Sequence, residues 1–149
     1  MTSFPPEAKY TGHTDGAHAS IAVSVRGGQI SAYLGDGKSV EAWYQGSVTD
    51  GAIKATGRAG NTLTGSLDGS TLSGTVSAGR KSWSYSAGPV TAPAGLYRAK
   101  QGSRTMGWIK QSDGSVTGLA NNGGVEEPAP PLDPATAQWT AGGDTVINR

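Results

Sequence analysis

The stretch "NTLTGSLDGSTLSGTVSAGRKSWSYS", Asn61 to Ser86, decides the fold of this chain. The phrase LTGSL returns nine residues later as LSGTV, and Asp68-Gly69 stands between the two copies. Apolar residues alternate with Ser and Thr, which is the period of a half-buried β-strand, and Asp-Gly favours a tight hairpin turn. The stretch therefore predicts three short neighbouring strands, "TLTGSL", "TLSGTV" and "KSWSYS", joined at "DG" and "AGR".

Two glycines of the repeat, Gly65 and Gly74, stand midway between the apolar residues of their strands and on the same face. Glycine inside a strand marks a bend, as at a barrel corner, or a place where another group approaches closely. We expect either that the strands bend here or that Trp83 or Tyr85 packs over the gap. Both interpretations concern packing, and neither indicates a ligand.

The rest of the chain has the same pattern of short alternating stretches separated by Gly-containing turns. "ASIAVSVRGGQISAYL" predicts a hairpin that turns at Gly27-Gly28, and further strands follow at Val40–Gly46, at Ile53–Ala59 and through "AGLYRAK", "RTMGWIKQ" and "VTGLAN". About ten short strands predict an all-β, barrel-like antiparallel meander, with a β-sandwich as the alternative; the many hairpins favour the barrel. The predicted core consists of Ile21, Val23, Val25, Ile30, Leu34, Tyr44, Leu63, Leu67, Leu72, Val76, Trp83, Tyr85, Leu96 and Ile109.

Composition changes at both ends of the chain. Residues 1–9 form a Pro-containing N-terminal arm, residues 10–122 the β domain, and residues 123–149 a Pro-rich segment that is either a linker or an arm lying along the domain. Trp139 favours the arm, because a large apolar side chain on a free tail has nothing to bury against.

Composition also narrows the functional classes. The chain has 149 residues, a net charge of +1, 24 glycines and no cysteine. Interspersed charges of both signs argue against a nucleic-acid partner, and no apolar run is long enough to form a transmembrane segment. The start "MTSFPPEAKY" lacks the regions of a signal peptide. Read literally it indicates a cytoplasmic protein, whereas a chain trimmed of its leader looks the same.

No motif in the sequence indicates a catalytic residue, a metal site or a cofactor. His13 and His18 flank Asp15, but this spacing is not a known ligand pattern and a third ligand is not evident. Five of the seven aspartates stand in Asp-Gly pairs typical of turns, where Asp bonds to its own backbone. The sequence therefore favours a non-enzymatic function.

Two tryptophans lie on strand faces that are partly polar. By alternation Trp43 shares a face with Glu41 and Gln45, and Trp108 shares one with Lys110. Such a tryptophan is a binding residue, for a protein or for a small apolar or sugar-like ligand, or it lines a barrel lumen, or it only covers a sheet edge or lies under the C-terminal segment. We take Trp43, Trp108, Glu41, Gln45 and Lys110 as the candidate binding residues.

The segments "ISAYLGDGKSVEAWYQG", "AGLYRA", "GWIKQSDGS" and "EEPAPPLDP" together resemble β-rich extracytoplasmic domains of actinobacteria. These domains are secreted or tethered behind a membrane segment, so the resemblance implies a location in the cell envelope or outside the cell, with a leader or anchor removed. It implies no catalytic residue. We expect an extracytoplasmic binding or interaction module; the alternative is a lipocalin-like carrier barrel for a small ligand, and a hydrolase comes third.

Overall fold

A computed structural model describes residues 7–17, 19–36, 41–57, 60–79, 81–90, 94–101, 104–122, 125–128, 140–141, 144–145 and 147–148. Apart from a short 3-10 turn at Asp15–Ala17, the regular structure in these ranges is β. The first eight strands are β1 Glu7–Thr14, β2 Ser20–Arg26, β3 Gln29–Gly35, β4 Glu41–Thr49, β5 Ala52–Thr56, β6 Thr62–Asp68, β7 Thr71–Ala78 and β8 Lys81–Val90. The later strands are β9 Gly95–Gln101, β10 Arg104–Lys110, β11 Val116–Asn122, β12 Val125–Pro128, β13 Thr140–Ala141, β14 Asp144–Thr145 and β15 Ile147–Asn148.

Strands β1 to β8 form a closed antiparallel barrel in which every strand pairs with its neighbour in sequence and β8 pairs with β1. This confirms the predicted all-β meander and the barrel, as opposed to the sandwich. The three strands of the opening stretch are β6, β7 and β8, and they pair in the predicted order. The first strand was not predicted, because its inward positions include Gly12 and Thr14 and its alternation of apolar residues is therefore weak.

The register fixes how wide the barrel is. Starting at Glu7, the paired residues lead once round the barrel through Arg26, Gln29, Ser47, Lys54, Thr64, Thr75 and Ser84. Tyr85 pairs with Thr14, so Ser84, one residue earlier, lies opposite position 15. The path that left the first strand at residue 7 therefore returns at residue 15, and this offset of 15 − 7 = 8 residues is the shear of the barrel. Eight strands with a shear of about eight make a narrow barrel whose interior is filled by side chains.

The inward side chains form the main core of the molecule. Of the residues predicted for the core, all are buried except Trp83, which is partly buried and packs against the others. The barrel interior also contains three tyrosines, Tyr10, Tyr44 and Tyr85. The hydroxyl of Tyr44 donates to the carbonyl of Ser77 at 2.6 Å, so this polar group is satisfied at the barrel wall.

The repeated glycines make room for one of these tyrosines. A methyl group at Gly65 would collide with the hydroxyl of Tyr85 and lie 3.0 Å from a methyl of Leu72. The Tyr85 hydroxyl donates to the carbonyl of Thr64 at 3.0 Å, which fixes the ring over the glycine. Of the two residues predicted as alternatives for packing over the gap, Tyr85 is the one that does so at Gly65.

A second sheet, in the order β12-β11-β10-β9-β15, packs against the outside of the barrel. Leu96 and Ile109 of this sheet form a separate buried cluster with Ala22 and Tyr33, which point outward from β2 and β3. Both were predicted as core, and both are buried, but they lie in this outer layer and not in the barrel. Two polar contacts join the layers as well: Ser20 Oγ lies 3.1 Å from Thr117 Oγ1, and the Nε2 of the buried Gln111 donates to the carbonyl of Gly12 at 3.0 Å.

Some residues of the C-terminal segment belong to this sheet. β12 pairs with β11, and β15 pairs with β9 through Ile147 opposite Arg98 and Asn148 opposite Tyr97. β13 and β14 form a separate two-stranded pair. The division at residues 9 and 122 stays a prediction, and Trp139 and His18 lie outside the described residues. No helix within the described part of the chain is long and apolar enough to cross a membrane.

Candidate binding surface

Trp43 lies on the outer face of the barrel, where strand alternation places it. Its neighbour Tyr44 points inward and is buried in the core. Trp43 is paired with Tyr33 of β3, and the two rings are tilted by 44° with their centroids 4.4 Å apart. This separation is at the short end of those found in stabilising aromatic pairs, so the two rings are in direct contact. Tyr33 is fully buried and Trp43 is half-buried, so the pair presents part of the indole at the surface.

The polar neighbours of Trp43 differ in how firmly they are held. Glu41 is half-buried, and its Oε2 accepts a hydrogen bond of 2.7 Å from the Tyr33 hydroxyl. The carboxylate is therefore tied to the ring on which Trp43 packs. Gln45 is exposed on the same face two residues further along β4. The structure thus brings Trp43, Glu41 and Gln45 together, with one apolar ring between two polar groups.

Trp43 also helps to join the barrel to the second sheet. A methyl group at Gly107 of β10 would lie 2.6 Å from Cζ2 of Trp43 and 3.0 Å from the ring of Tyr33. The absent side chain at Gly107 therefore lets the indole lie close against the backbone of β10. Trp43 accordingly has two roles in this structure: one part of the ring packs inside the molecule, and the rest is accessible.

Trp108 and Lys110 lie elsewhere. Ile109 and Gly107 face the barrel, so the even-numbered residues of β10 face away from it. Trp108 is only 1% exposed, and it packs over Gly118, where an added methyl would lie 2.5 Å from its Cδ1. Lys110 is half-buried and its Nζ donates to the carbonyl of Gly114 at 3.4 Å. The structure does not bring these two residues to the face of Trp43, and their part in binding stays a prediction.

Tyr33 was missed as a member of this surface. The sequence contained a usable signal, because Ala32 and Leu34 on either side of it are inward residues and alternation then places Tyr33 outward. Its partner was not predictable from alternation, since the pairing with Trp43 depends on the register of β3 against β4.

Groups capable of acid–base chemistry occur next to the turn between β10 and β11. Asp113 Oδ1 accepts a hydrogen bond of 2.8 Å from the backbone nitrogen of Ser115, which holds the pKa of this exposed carboxylate below its usual value; the nearby His13 acts in the same direction. Within the described ranges, no three His, Asp or Glu side chains come together in a way that suits a metal ion.

Comparison of the chain with protein-family models, with curated proteins and with solved structures finds no match.

Proposed function

We propose that this chain is a non-enzymatic extracytoplasmic binding or interaction module that binds its partner with the outer face of the barrel around Trp43. The observation that carries the proposal is the partly exposed indole of Trp43, which packs on Tyr33 and lies between Glu41 and Gln45. Tryptophan is enriched among the residues that contribute most to binding, and polar groups at the rim of such a contact fix its orientation. The extracytoplasmic location is part of the proposal and rests on the resemblance described above.

The interior of the barrel supports this reading over the carrier alternative. A carrier of the lipocalin kind needs a lumen that accepts a ligand, and pockets for drug-sized ligands have volumes of roughly 300 Å³ or more. Here the shear of eight gives a narrow barrel, and buried residues from all eight strands pack together within it. We therefore expect the partner to bind to the outer surface of the barrel.

The test is a quantitative pull-down from a cell-envelope extract. Gln45 is exposed, so Gln45→Arg places a long charged side chain beside Trp43 without disturbing the core. The matched control is Thr71→Arg, at an exposed position of β7 away from Trp43. We expect Gln45→Arg to lower the recovery of the partner about tenfold, the effect of losing about 1.4 kcal/mol. Equal recovery by wild type and by both variants would remove this surface from the binding site.

A further inference from the structure

The outer face of β6, β7 and β8 carries a three-by-three grid of hydroxyl groups. The register places these nine Ser and Thr residues in three rows across the strands, Thr62–Ser77–Ser82, Thr64–Thr75–Ser84 and Ser66–Ser73–Ser86. Thr64 and Ser77 are half-buried and the others are exposed. With about 4.8 Å between strands and about 6.7 Å between alternate residues, the grid covers about 10 by 13 Å.

The hydroxyl groups bond to each other and still have bonding capacity left over. The hydroxyl oxygens of Thr64 and Thr75 are 3.1 Å apart, and those of Thr62 and Ser77 are 3.2 Å apart. A hydroxyl has one donor and two acceptor sites, so the bond between Thr64 and Thr75 leaves this pair with one donor and three acceptor sites for a ligand or for water. These cross-strand bonds orient four of the nine hydroxyl groups.

The chemistry of the grid excludes several kinds of partner. It contains no aromatic or aliphatic side chain, which the centre of a protein interface or a membrane-binding face requires. It contains no charged side chain either, whereas a nucleic acid or another polyanion requires a basic cluster. Among the described residues, the charged side chains that lie beside the grid on the same face include Lys54 and Asp68, one of each sign.

We propose that this hydroxyl grid binds a neutral polysaccharide chain. Such a polymer has no charge to compensate, and its own hydroxyl groups match a surface of closely spaced donors and acceptors. The row that begins at Thr62 continues through Thr56 to Gln45, which neighbours Trp43 on β4. A chain that follows this row therefore reaches the exposed part of the indole, an aromatic surface of the kind on which sugar rings pack. The inference rests on the proposed binding function: it adds the hydroxyl grid to that surface and shares Gln45 and Trp43 with it.

The experiment measures the binding of the complete chain to soluble neutral polymers by calorimetry. The probes are dextran, a soluble β-1,3-glucan and a β-1,4-linked cello-oligosaccharide, with polygalacturonate as the anionic comparison. The test variant is Thr64→Val/Thr75→Val, because Val keeps the shape and the strand preference of Thr and removes only the hydroxyl. The matched control is Thr49→Val, at an exposed outward position near the end of β4.

We expect at least one neutral polymer to bind more tightly than polygalacturonate, with little dependence on salt. The double variant is expected to weaken this binding about tenfold or more, since two hydrogen bonds are lost, and Thr49→Val is expected to leave it unchanged. Absence of binding to all three neutral polymers, tighter binding to polygalacturonate, or equal affinities of wild type and the double variant would overturn the inference. Where the double variant fails to fold, Ser73→Ala/Ser84→Ala takes its place.

These outcomes are separable from those of the pull-down. If no neutral polymer binds while Gln45→Arg still lowers the recovery of a partner, the proposed binding module is supported and only the proposal of a polysaccharide ligand is rejected. If the grid binds a polymer and Gln45→Arg leaves the recovery of every captured protein unchanged, the inference stands and the surface around Trp43 is not a protein-binding site.

Discussion

The contact between Gly65 and Tyr85 gives the sharpest test of the packing inside the barrel. A methyl group at Gly65 would collide with the Tyr85 hydroxyl, whereas its next neighbours, a methyl of Leu72 at 3.0 Å and the carbonyl of Ser73 at 3.1 Å, are less severely crowded. The collision therefore depends mainly on one oxygen atom. Replacing Tyr85 by Phe removes that atom and leaves the ring in place.

The expected free energies follow from these contacts. Gly65→Ala overpacks the core and should lower the free energy of unfolding by about 1–3 kcal/mol. Tyr85→Phe removes the hydrogen bond to the carbonyl of Thr64 and should cost about 1 kcal/mol. In the double variant Gly65→Ala/Tyr85→Phe the added methyl occupies the space of the missing hydroxyl. We expect its cost to be smaller than the sum of the two single costs by about 1 kcal/mol or more.

Urea unfolding followed by tryptophan fluorescence measures all four proteins of this cycle. Gly74→Ala is the matched control, because its added methyl would collide with the carbonyl of Thr64 and lie 2.6 Å from the Cα of Gly65, both of which are backbone. Tyr85→Phe should not relieve that variant. Additive costs in the Gly65 cycle, or an equal rescue of Gly74→Ala, would refute the placement of the Tyr85 hydroxyl over Gly65.

Three further predictions concern the core of the barrel, the contact between the barrel and the second sheet, and the C-terminal segment. Burial raises the pKa of Tyr44 and Tyr85, so the unfolded chain loses these protons at lower pH than the folded one; stability should hold below about pH 10 and fall above it by up to about 1.4 kcal/mol per pH unit for each tyrosine. Denaturation measured between pH 8 and 12 checks this, and an equally steep fall after both tyrosines are replaced by Phe would contradict it. Gly107→Ala should push Trp43 from its place, shift tryptophan emission and cost about 1–3 kcal/mol, whereas unchanged emission would mean that the sheet does not rest on this ring. Removal of all residues after Asn122 takes away β12 and β15 and should lower the unfolding midpoint; an unchanged midpoint would show that these strands add nothing to stability.

The parts of the fold that were predictable from the sequence depend on neighbouring residues. The alternation around Leu63 and Leu72 and the Asp-Gly turn between them fixed the order and the inward face of β6 and β7, because both signals are local. Strand β1 was missed, since it is recognised by its pairing with β2 and β8 and not by its own pattern.

The site was only partly predictable for the same reason. Alternation correctly grouped Trp43 with Glu41 and Gln45 on the face opposite Tyr44, and the structure shows that this face is the outer one. Applied to Trp108, it showed which residues share a face and not whether that face is covered, and the ring is in fact buried. Burial of Leu96 was likewise predicted, but its location between the barrel and a second sheet depends on contacts far apart in the sequence.

Closure of the barrel between β1 and β8 is the feature on which the filled interior and the outward binding face both depend. The chain has no cysteine, so a cysteine pair introduced at His13 and Ser86 reports on this closure without interference. These residues are directly paired, and paired Cα atoms lie about 4.5–5.5 Å apart, within the range for a disulfide. The measurement is the rate of disulfide formation in the folded protein under mild oxidation. Rapid formation in His13→Cys/Ser86→Cys, together with slow formation in the offset pair His13→Cys/Ser84→Cys, is the predicted result. Equal rates in the two pairs, or no disulfide in the first, would contradict the closed barrel.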